Sequence, residues 1–185
     1  MNYQKWLQQN TTSLQGKTVM ITGSTGGLGK EICLHLLSLG ANLVLVDRNT
    51  QKQENLKKIL FEKYQNCKIK CFIANNEDFE SIKSVCKNLN QTDIDIAIFN
   101  AGAYKIARKK TDLGYDNIFQ INFLSPYFML KEILPMLDKK QNTKVVIVGS
   151  IAHKKNKYNA DSIDFADCKK VTRVYGNAKR FLMFA

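Results

Sequence analysis

The sequence predicts an α/β fold built on a doubly wound parallel sheet. Three observations carry that expectation: five short apolar, β-branched runs, amphipathic segments alternating with them, and a glycine-rich turn between the first run and the first helical segment. Runs that are apolar throughout suit strands covered on both faces. Strict β–α alternation suits right-handed crossovers that place helices on both sides of a sheet.

In chain order, the first run is Thr18-Val19-Met20-Ile21, which leads through glycines into a helical segment from Leu28 to Leu39 that Gly40 is placed to close. The second run, Leu43-Val44-Leu45-Val46, is followed by an amphipathic segment from Gln53 to Tyr64. The third, Ile69 to Ile73, is followed by Phe79 to Leu89, whose apolar residues recur at helical spacing. Ile94 to Phe99 is the fourth, and after a polar stretch the longest helical segment runs from Tyr115 to Leu137. Val145-Val146-Ile147-Val148 is the fifth. A last apolar helix carries Tyr175 and Lys179 towards Phe181-Leu182-Met183-Phe184-Ala185. No internal repeat, low-complexity linker or domain boundary interrupts the pattern.

At 185 residues the chain has the size of one domain and can fold without disulfides or metal. Its 44% hydrophobic and 24% charged residues exclude a disordered or collagen-like chain. No apolar run reaches the length of a membrane span, and Met1 to Gln15 is polar without an apolar signal core, so a cytoplasmic location is expected. The net charge of +12 raises the question of an anionic partner. Its local clusters, Arg108-Lys109-Lys110, Lys154-Lys155 and Lys169-Lys170, have no interleaved aromatic residues on which bases could stack. They are expected to be solvated, and a nucleic-acid partner would rest on the charge alone. The five cysteines, Cys33, Cys67, Cys71, Cys86 and Cys168, follow no C-x-x-C spacing, and His35 and His153 are the only imidazoles. Reduced structural thiols and no metal are expected.

Thr22-Gly23-Ser24-Thr25-Gly26-Gly27-Leu28-Gly29 lies between a strand and a helix, where a doubly wound sheet binds phosphate. Glycines allow the tight turn and a close backbone approach, while the helix start supplies free N–H groups and partial positive charge. Two competing motifs fail letter by letter. A Walker A loop needs Gly where Ser24 stands and Ser or Thr where Glu31 stands; a nucleophile elbow needs Gly where Thr22 stands. The turn therefore predicts a dinucleotide site around Thr22, Gly23, Ser24, Thr25, Gly27, Leu28 and Gly29. The second strand ends in Asp47-Arg48. Asp47 can accept from a ribose 2′-hydroxyl and repel a 2′-phosphate, and Arg48 can do the opposite. The carboxylate is the more directly placed, so the expectation leans to NAD with NADP left open.

Farther along stand Asn100-Ala101-Gly102, Asn122, Ser150 and Tyr175-Gly176-Asn177-Ala178-Lys179. With Thr22-Gly23, Gly27 and Gly29 they resemble, in order, the signature of the short-chain dehydrogenase/reductase family: T-G-x-x-x-G-x-G, N-A-G, Asn, Ser and Y-x-x-x-K. Thr111-Asp112-Leu113-Gly114-Tyr115, Phe119-Gln120-Ile121-Asn122 and Ser150-Ile151-Ala152-His153 look like the retinol-dehydrogenase-like branch. The resemblance runs from Gly16 to Ala185 and implies a Rossmann-type fold, an NAD or NADP cofactor, an apolar alcohol or carbonyl substrate and a homodimer. It divides the chain into an N-terminal extension, 1–15, and a dinucleotide-binding domain, 16–185. Family members continue with further strands and helices, so that domain is expected to be incomplete at its C-terminus and to lack the last strands of the family fold. Val145 to Val148 would then be a bare sheet edge.

On a helix, Tyr175 and Lys179 share a face one turn apart. A lysine cation beside a phenol favours the phenolate, which makes Tyr175 a usable general acid/base. Ser150 follows the fifth strand, at the carboxyl edge of the sheet, where its hydroxyl can steady a developing alkoxide. Asn122 is a poor mid-helix residue, so it marks a kink or has a hydrogen-bonding task. The resemblance makes Asn122, Ser150, Tyr175 and Lys179 catalytic, with Asn122 holding the water of a proton relay behind Lys179 and Lys179 binding the nicotinamide ribose. It also puts Asn100, Ala101, Gly102 and Tyr175 at the cofactor, and Asn75 or Asn76 where the family usually has an Asp against adenine; Asn75 can still accept through its side-chain carbonyl. Gly149 replaces the first of the family's usual pair of serines. His153 lacks an acid partner for a hydrolase triad, and His35 is expected to pack within its helix. The 24 residues from 151 to 174, with Lys154, Lys155, Lys157, Asp161, Asp164 and Asp167, are expected to border the site. The expected activity is NAD(P)-dependent interconversion of an alcohol and a ketone or aldehyde. The alternative is a partial family member that binds cofactor or a partner without turnover.

Overall fold

The computed structural model describes residues 3–155, 168 and 170–184. Five strands, β1 (Thr18–Thr22), β2 (Asn42–Asp47), β3 (Ile69–Ile73), β4 (Ile96–Phe99) and β5 (Lys144–Ile147), form one parallel sheet in the order β3-β2-β1-β4-β5. The apolar residues of β1 and β2 point alternately to its two faces, and both faces are covered. Val19, Ile21, Leu43 and Leu45 pack with Cys33 and Leu37 of α2 (Gly27–Ser38) and with Leu56 and Leu60 of α3 (Thr50–Lys63). Met20, Val44 and Val46 pack with Ile82, Val85 and Leu89 of α4 (Phe79–Leu89) and with Met129, Ile133 and Leu137 of α6 (Ser125–Leu137). This two-sided burial is why the runs are apolar throughout rather than alternating. Chain order reverses between β1 and β4, which opens a crevice at the carboxyl ends of those strands.

Several boundaries differ from the sequence pattern for local reasons. The fourth strand starts at Ile96 rather than Ile94, because the Asp95 carboxylate turns to accept from the Thr18 N–H at 2.8 Å and from Lys17 at 3.0 Å. α3 starts at Thr50 rather than Gln53, since the Asn49 side chain accepts from the Lys52 N–H. Gly40 lies just past the end of α2 at φ +88°, a left-handed conformation suited to glycine.

The long helix is broken in a way the periodicity did not show. Asp116 caps α5 (Asn117–Phe119), a π-helical turn follows over Gln120–Leu124, and α6 begins only at Ser125. Pro126 is the physical cause: it has no N–H to give to the carbonyl of Asn122, four residues earlier, and its ring crowds that carbonyl. The N-terminal extension carries a short helix, α1 (Tyr3–Asn10), and is tied to the domain by the Leu14 N–H donating to Leu39 O at 2.8 Å. After β5 comes a 3₁₀ turn, Ile151–Lys155, and later α7 (Val171–Phe181). Lys157, Asp161, Asp164, Asp167 and Lys169 lie outside the described residues. α7 is held by Arg180 donating to His153 O at 2.6 Å, by Arg108 donating to Cys168 O, and by Val174 and Ala178 packing on Ile118 and Phe119.

Candidate active site

A cleft of roughly 610 Å³ runs along the carboxyl ends of all five strands. Of the residues singled out from sequence, Thr22, Gly23, Thr25, Gly27, Leu28, Gly29, Asp47, Arg48, Asn75, Asn100, Ala101, Gly102, Tyr175 and Lys179 line it. Ser24, Asn122 and Ser150 stand behind or beside the wall.

The glycine turn is shaped by contacts that a side chain would destroy. Gly23 has φ +69°, and a Cβ there would sit 2.8 Å from Ala101 Cα. A Cβ on Gly29 would sit 2.2 Å from Gly23 O, so this glycine lets the helix start close against the turn. Gly27 differs: a Cβ there would meet nothing within 4 Å, because the position opens onto the cleft. Asn49, Asp78 and Asp116 cap α3, α4 and α5 with their side chains, but Gly26 at the start of α2 gives no such bond. The first N–H groups of α2 therefore face the cleft without a side-chain cap, as an anion site requires.

Asp47 holds this turn. Its carboxylate is buried and accepts from Ser24 Oγ at 2.5 Å, from the Thr25 N–H at 3.1 Å, from Thr25 Oγ1 at 3.2 Å and from Gln53 Nε2 at 3.1 Å. Ser24 is fully buried and spends its hydroxyl on this bond. Beyond Asp47, the cationic side chains on that wall are Arg48 and Lys52, both exposed. A second clamp joins β1 to β4. Thr22 Oγ1 accepts from the N–H groups of Asn100 and Ala101, and the Asn100 amide donates to the carbonyls of Thr22 and Gly23 at 3.1 and 3.0 Å. Asn75 Oδ1 accepts from the Glu77 N–H at 3.1 Å.

At the other end of the cleft, Asn122 is buried and its side chain is fully engaged. Its Nδ2 donates to the carbonyls of Ala103 and Ile118, both at 2.8 Å, and its Oδ1 accepts from the Ala103 N–H at 3.1 Å. Gly102 fits beneath this clamp, since a Cβ there would lie 2.9 Å from Asn122 Oδ1 and 3.4 Å from Lys179 Nζ. Lys179 is buried and donates to Val148 O at 3.0 Å. Burial pulls its ammonium down to about 8, because a charge surrounded by protein loses hydration that one carbonyl does not replace. Tyr175, one helical turn earlier, packs its ring on Tyr104, with centroids 4.8 Å apart. Ser150 Oγ accepts from the Ala152 N–H at 3.2 Å, and Ser150 O lies 2.6 Å from His153 Nδ1.

Sequence reasoning missed Tyr104 and Lys52 as cleft residues, while Asn76, the alternative to Asn75, lines the cleft beside it. The positions of the two missed residues, Tyr104 after the fourth strand and Lys52 in the first turn of the helix after the second, are the only sequence signal they carry. The first basic cluster is not simply solvated: Arg108 pairs with Asp116 at 2.6 Å and Lys109 with Glu77 at 3.0 Å. All five cysteines are free, and burial pushes the Cys33 and Cys86 thiols up to about 12, which leaves them inert. Among the described residues no group of three or more His, Cys, Asp or Glu could hold a metal ion, and no helix is long and apolar enough to cross a membrane.

Residues 17–162 match the family model for short chain dehydrogenases. The chain is 29% identical over 168 residues to human retinol dehydrogenase 13, covering 88% of this chain and 48% of that protein. It is also 29% identical over 167 residues to an oxidoreductase of Schizosaccharomyces pombe, covering 86% and 49%. The chain spans about half the length of these curated relatives. Among solved structures, it superimposes with a TM-score of 0.73 on a short-chain dehydrogenase from Sphingobium yanoikuyae in complex with NADPH, at 22% identity over 91% of this chain and 62% of that one. A bulky-bulky ketone specific alcohol dehydrogenase from Comamonas testosteroni gives 0.72 at 23% identity, over 91% and 63%.

Proposed function

Because this chain belongs to the short-chain dehydrogenase family, whose model matches residues 17–162, we propose that it carries the cofactor-binding and proton-transfer parts of an NAD(P)-dependent oxidoreductase that interconverts an alcohol and a ketone or aldehyde. The observation that carries this reading is a single cleft with an uncapped, glycine-lined helix start at one end and Tyr175 beside Lys179 on its wall. The nicotinamide, when bound, supplies or accepts the hydride. Gly27 leaves the backbone bare towards the cleft, as a pyrophosphate needs, Gly23 and Gly29 let the turn and the helix start pack closely enough to present it, and Gly102 keeps the space before Lys179 open.

The protein's own part is the proton. Tyr175 exchanges it with the substrate oxygen, Lys179 biases the phenol towards the phenolate, and Ser150 steadies the alkoxide. Asn122 acts by fixing the segment after β4 against the long helix, which sets the distance between Gly102 and Lys179.

For the cofactor, the internal bonds of Asp47 weaken the case for NAD. A carboxylate that already accepts from Ser24, Thr25 and Gln53 has little left for a ribose hydroxyl, while Arg48 and Lys52 stand exposed on the same wall. We therefore read the site as favouring NADP(H). Arg48→Ala is expected to weaken NADPH binding roughly tenfold to a hundredfold, the scale of one charge-assisted bond, and to leave NADH unchanged. The reading also includes an apolar small-molecule substrate, a cytoplasmic location and a homodimer formed through α6 and α7.

The test of function is absorbance at the reduced-nicotinamide band with a panel of alcohols and aldehydes. Turnover that Tyr175→Phe abolishes, with dinucleotide binding intact, is expected; normal turnover in that variant would sink the mechanism. One observation favours a second reading, dinucleotide binding without turnover: Ser150 does not line the cleft, and its hydroxyl is engaged by Ala152. Tight NADPH binding with no turnover of any substrate would support it.

A further inference from the structure

We propose that Tyr104 is a positioning residue for Tyr175, resting on the oxidoreductase reading of the cleft. Tyr104 lines the cleft, and its ring lies against that of Tyr175, with centroids 4.8 Å apart and planes inclined at 45°. That is within the range in which offset aromatic rings attract one another beyond simple area burial.

The backbone under Tyr104 is braced on both sides. Ala103, immediately before it, is tied to the Asn122 side chain through both its N–H and its carbonyl. Lys105, immediately after it, adopts φ +56°, a left-handed conformation that is costly for a lysine, and places its ammonium 5.7 Å from the Tyr104 ring centroid. A side chain that is 42% exposed is thus held in one place by a fixed backbone, a cation and a ring.

The consequence falls on Tyr175. The helix fixes its Cα, but two torsions still separate the backbone from the phenol oxygen. The Tyr104 ring removes much of that freedom and covers one side of the Tyr175 ring from water. A general acid/base must present its oxygen within hydrogen-bond reach of the reacting atom, so restricting the ring acts on the rate of proton transfer. The contact is between rings, and the Tyr104 hydroxyl has no part in it. Phenylalanine should therefore serve as well as tyrosine.

The experiment compares Tyr104→Ala, Tyr104→Leu and Tyr104→Phe with the wild-type chain. It measures kcat and KM with a carbonyl substrate and NADPH, and the ring resonances of ¹³C-labelled tyrosine, with that of Tyr175 assigned by its loss in Tyr175→Phe. Expected is a fall in kcat of about tenfold in the Ala and Leu variants, the size of a lost ring–ring contact, with KM for NADPH little changed and wild-type behaviour in the Phe variant. The Tyr175 resonance should move in Ala and Leu and stay in Phe. If Tyr104→Ala fails to fold, Tyr104→Leu, which keeps the apolar bulk, carries the same expectation. Unchanged kcat in a folded Ala or Leu variant, with the wild type active, overturns the proposal and leaves the oxidoreductase reading standing. A wild type that turns over nothing overturns that reading instead, and the resonance then decides for Tyr104: movement in Ala and Leu with retention in Phe supports the positioning role, and no movement overturns it.

Discussion

Gly27 and Gly29 stand two residues apart in the same turn, yet glycine is needed at each for a different reason. At position 29 a methyl group would be driven into Gly23 O, whereas at 27 it would project into open cleft. Gly29→Ala is therefore expected to destabilise the fold by about 2 kcal/mol or more, as overpacking against backbone does. Gly27→Ala should leave the melting temperature unchanged and weaken dinucleotide binding, as calorimetry and fluorescence quenching would show. Lys179 shows the opposite trade. Burial lowers its folded-state value to about 8, from 10.5 in the unfolded chain, so between those values the unfolded chain holds more protons and stability rises with pH. Below pH 8 the cost is fully present, on the order of 3 kcal/mol. Lys179→Met should accordingly be more stable than wild type at pH 7, converge with it as pH climbs towards 10.5, and lose turnover. Urea denaturation at several pH values reads the difference.

At the scale of the element, Asp95 shows how one carboxylate sets a strand boundary. Burial alone would raise it, but Lys140, the Thr18 N–H and Lys17 outweigh that and bring it to about 2. Its folded value is depressed, so the stabilisation is present above pH 3.8 and is lost as pH falls through 2. Asp95→Asn should cost on the order of 1–2 kcal/mol at pH 7, and the gap to wild type should close in acid. The π-helical turn is the other element-scale device. Pro126 was visible in the sequence four residues after Asn122, and that spacing alone argues for a break at Asn122. Periodicity could not reveal it, because the apolar spacing continues across the turn.

Across the whole molecule, the two sheet edges differ. β3 carries Lys70, and Lys68 precedes it, which discourages pairing with another chain. β5 at the other edge leaves Val145 and Val146 39% and 45% exposed. Val146→Lys should raise the concentration at which the purified chain stays monodisperse in light scattering, and should not lower the melting temperature. The rings of Tyr115, Phe119, Phe123 and Tyr127, joined by Phe181, form a continuous line of ring contacts across α5, the π-helical turn and the start of α6, with Phe119 buried in its middle and Tyr115 and Tyr127 partly exposed at its ends.

What the sequence determined by itself is whatever depends on near neighbours in the chain. The five apolar runs specify buried strands, the glycine turn specifies a close-packed helix start without a side-chain cap, and the four-residue spacing of Tyr175 and Lys179 specifies a shared helical face. Each follows from backbone periodicity and local sterics. The uses of Asp47, Asn122 and Tyr104 were decided only by the tertiary structure. Asp47 meets Ser24 and Gln53, Asn122 clamps Ala103, and Tyr104 meets Tyr175 across 71 positions of chain. No local pattern encodes such contacts, because they exist only once the parallel crossovers have brought the ends of separate strands and helices to one edge of the sheet.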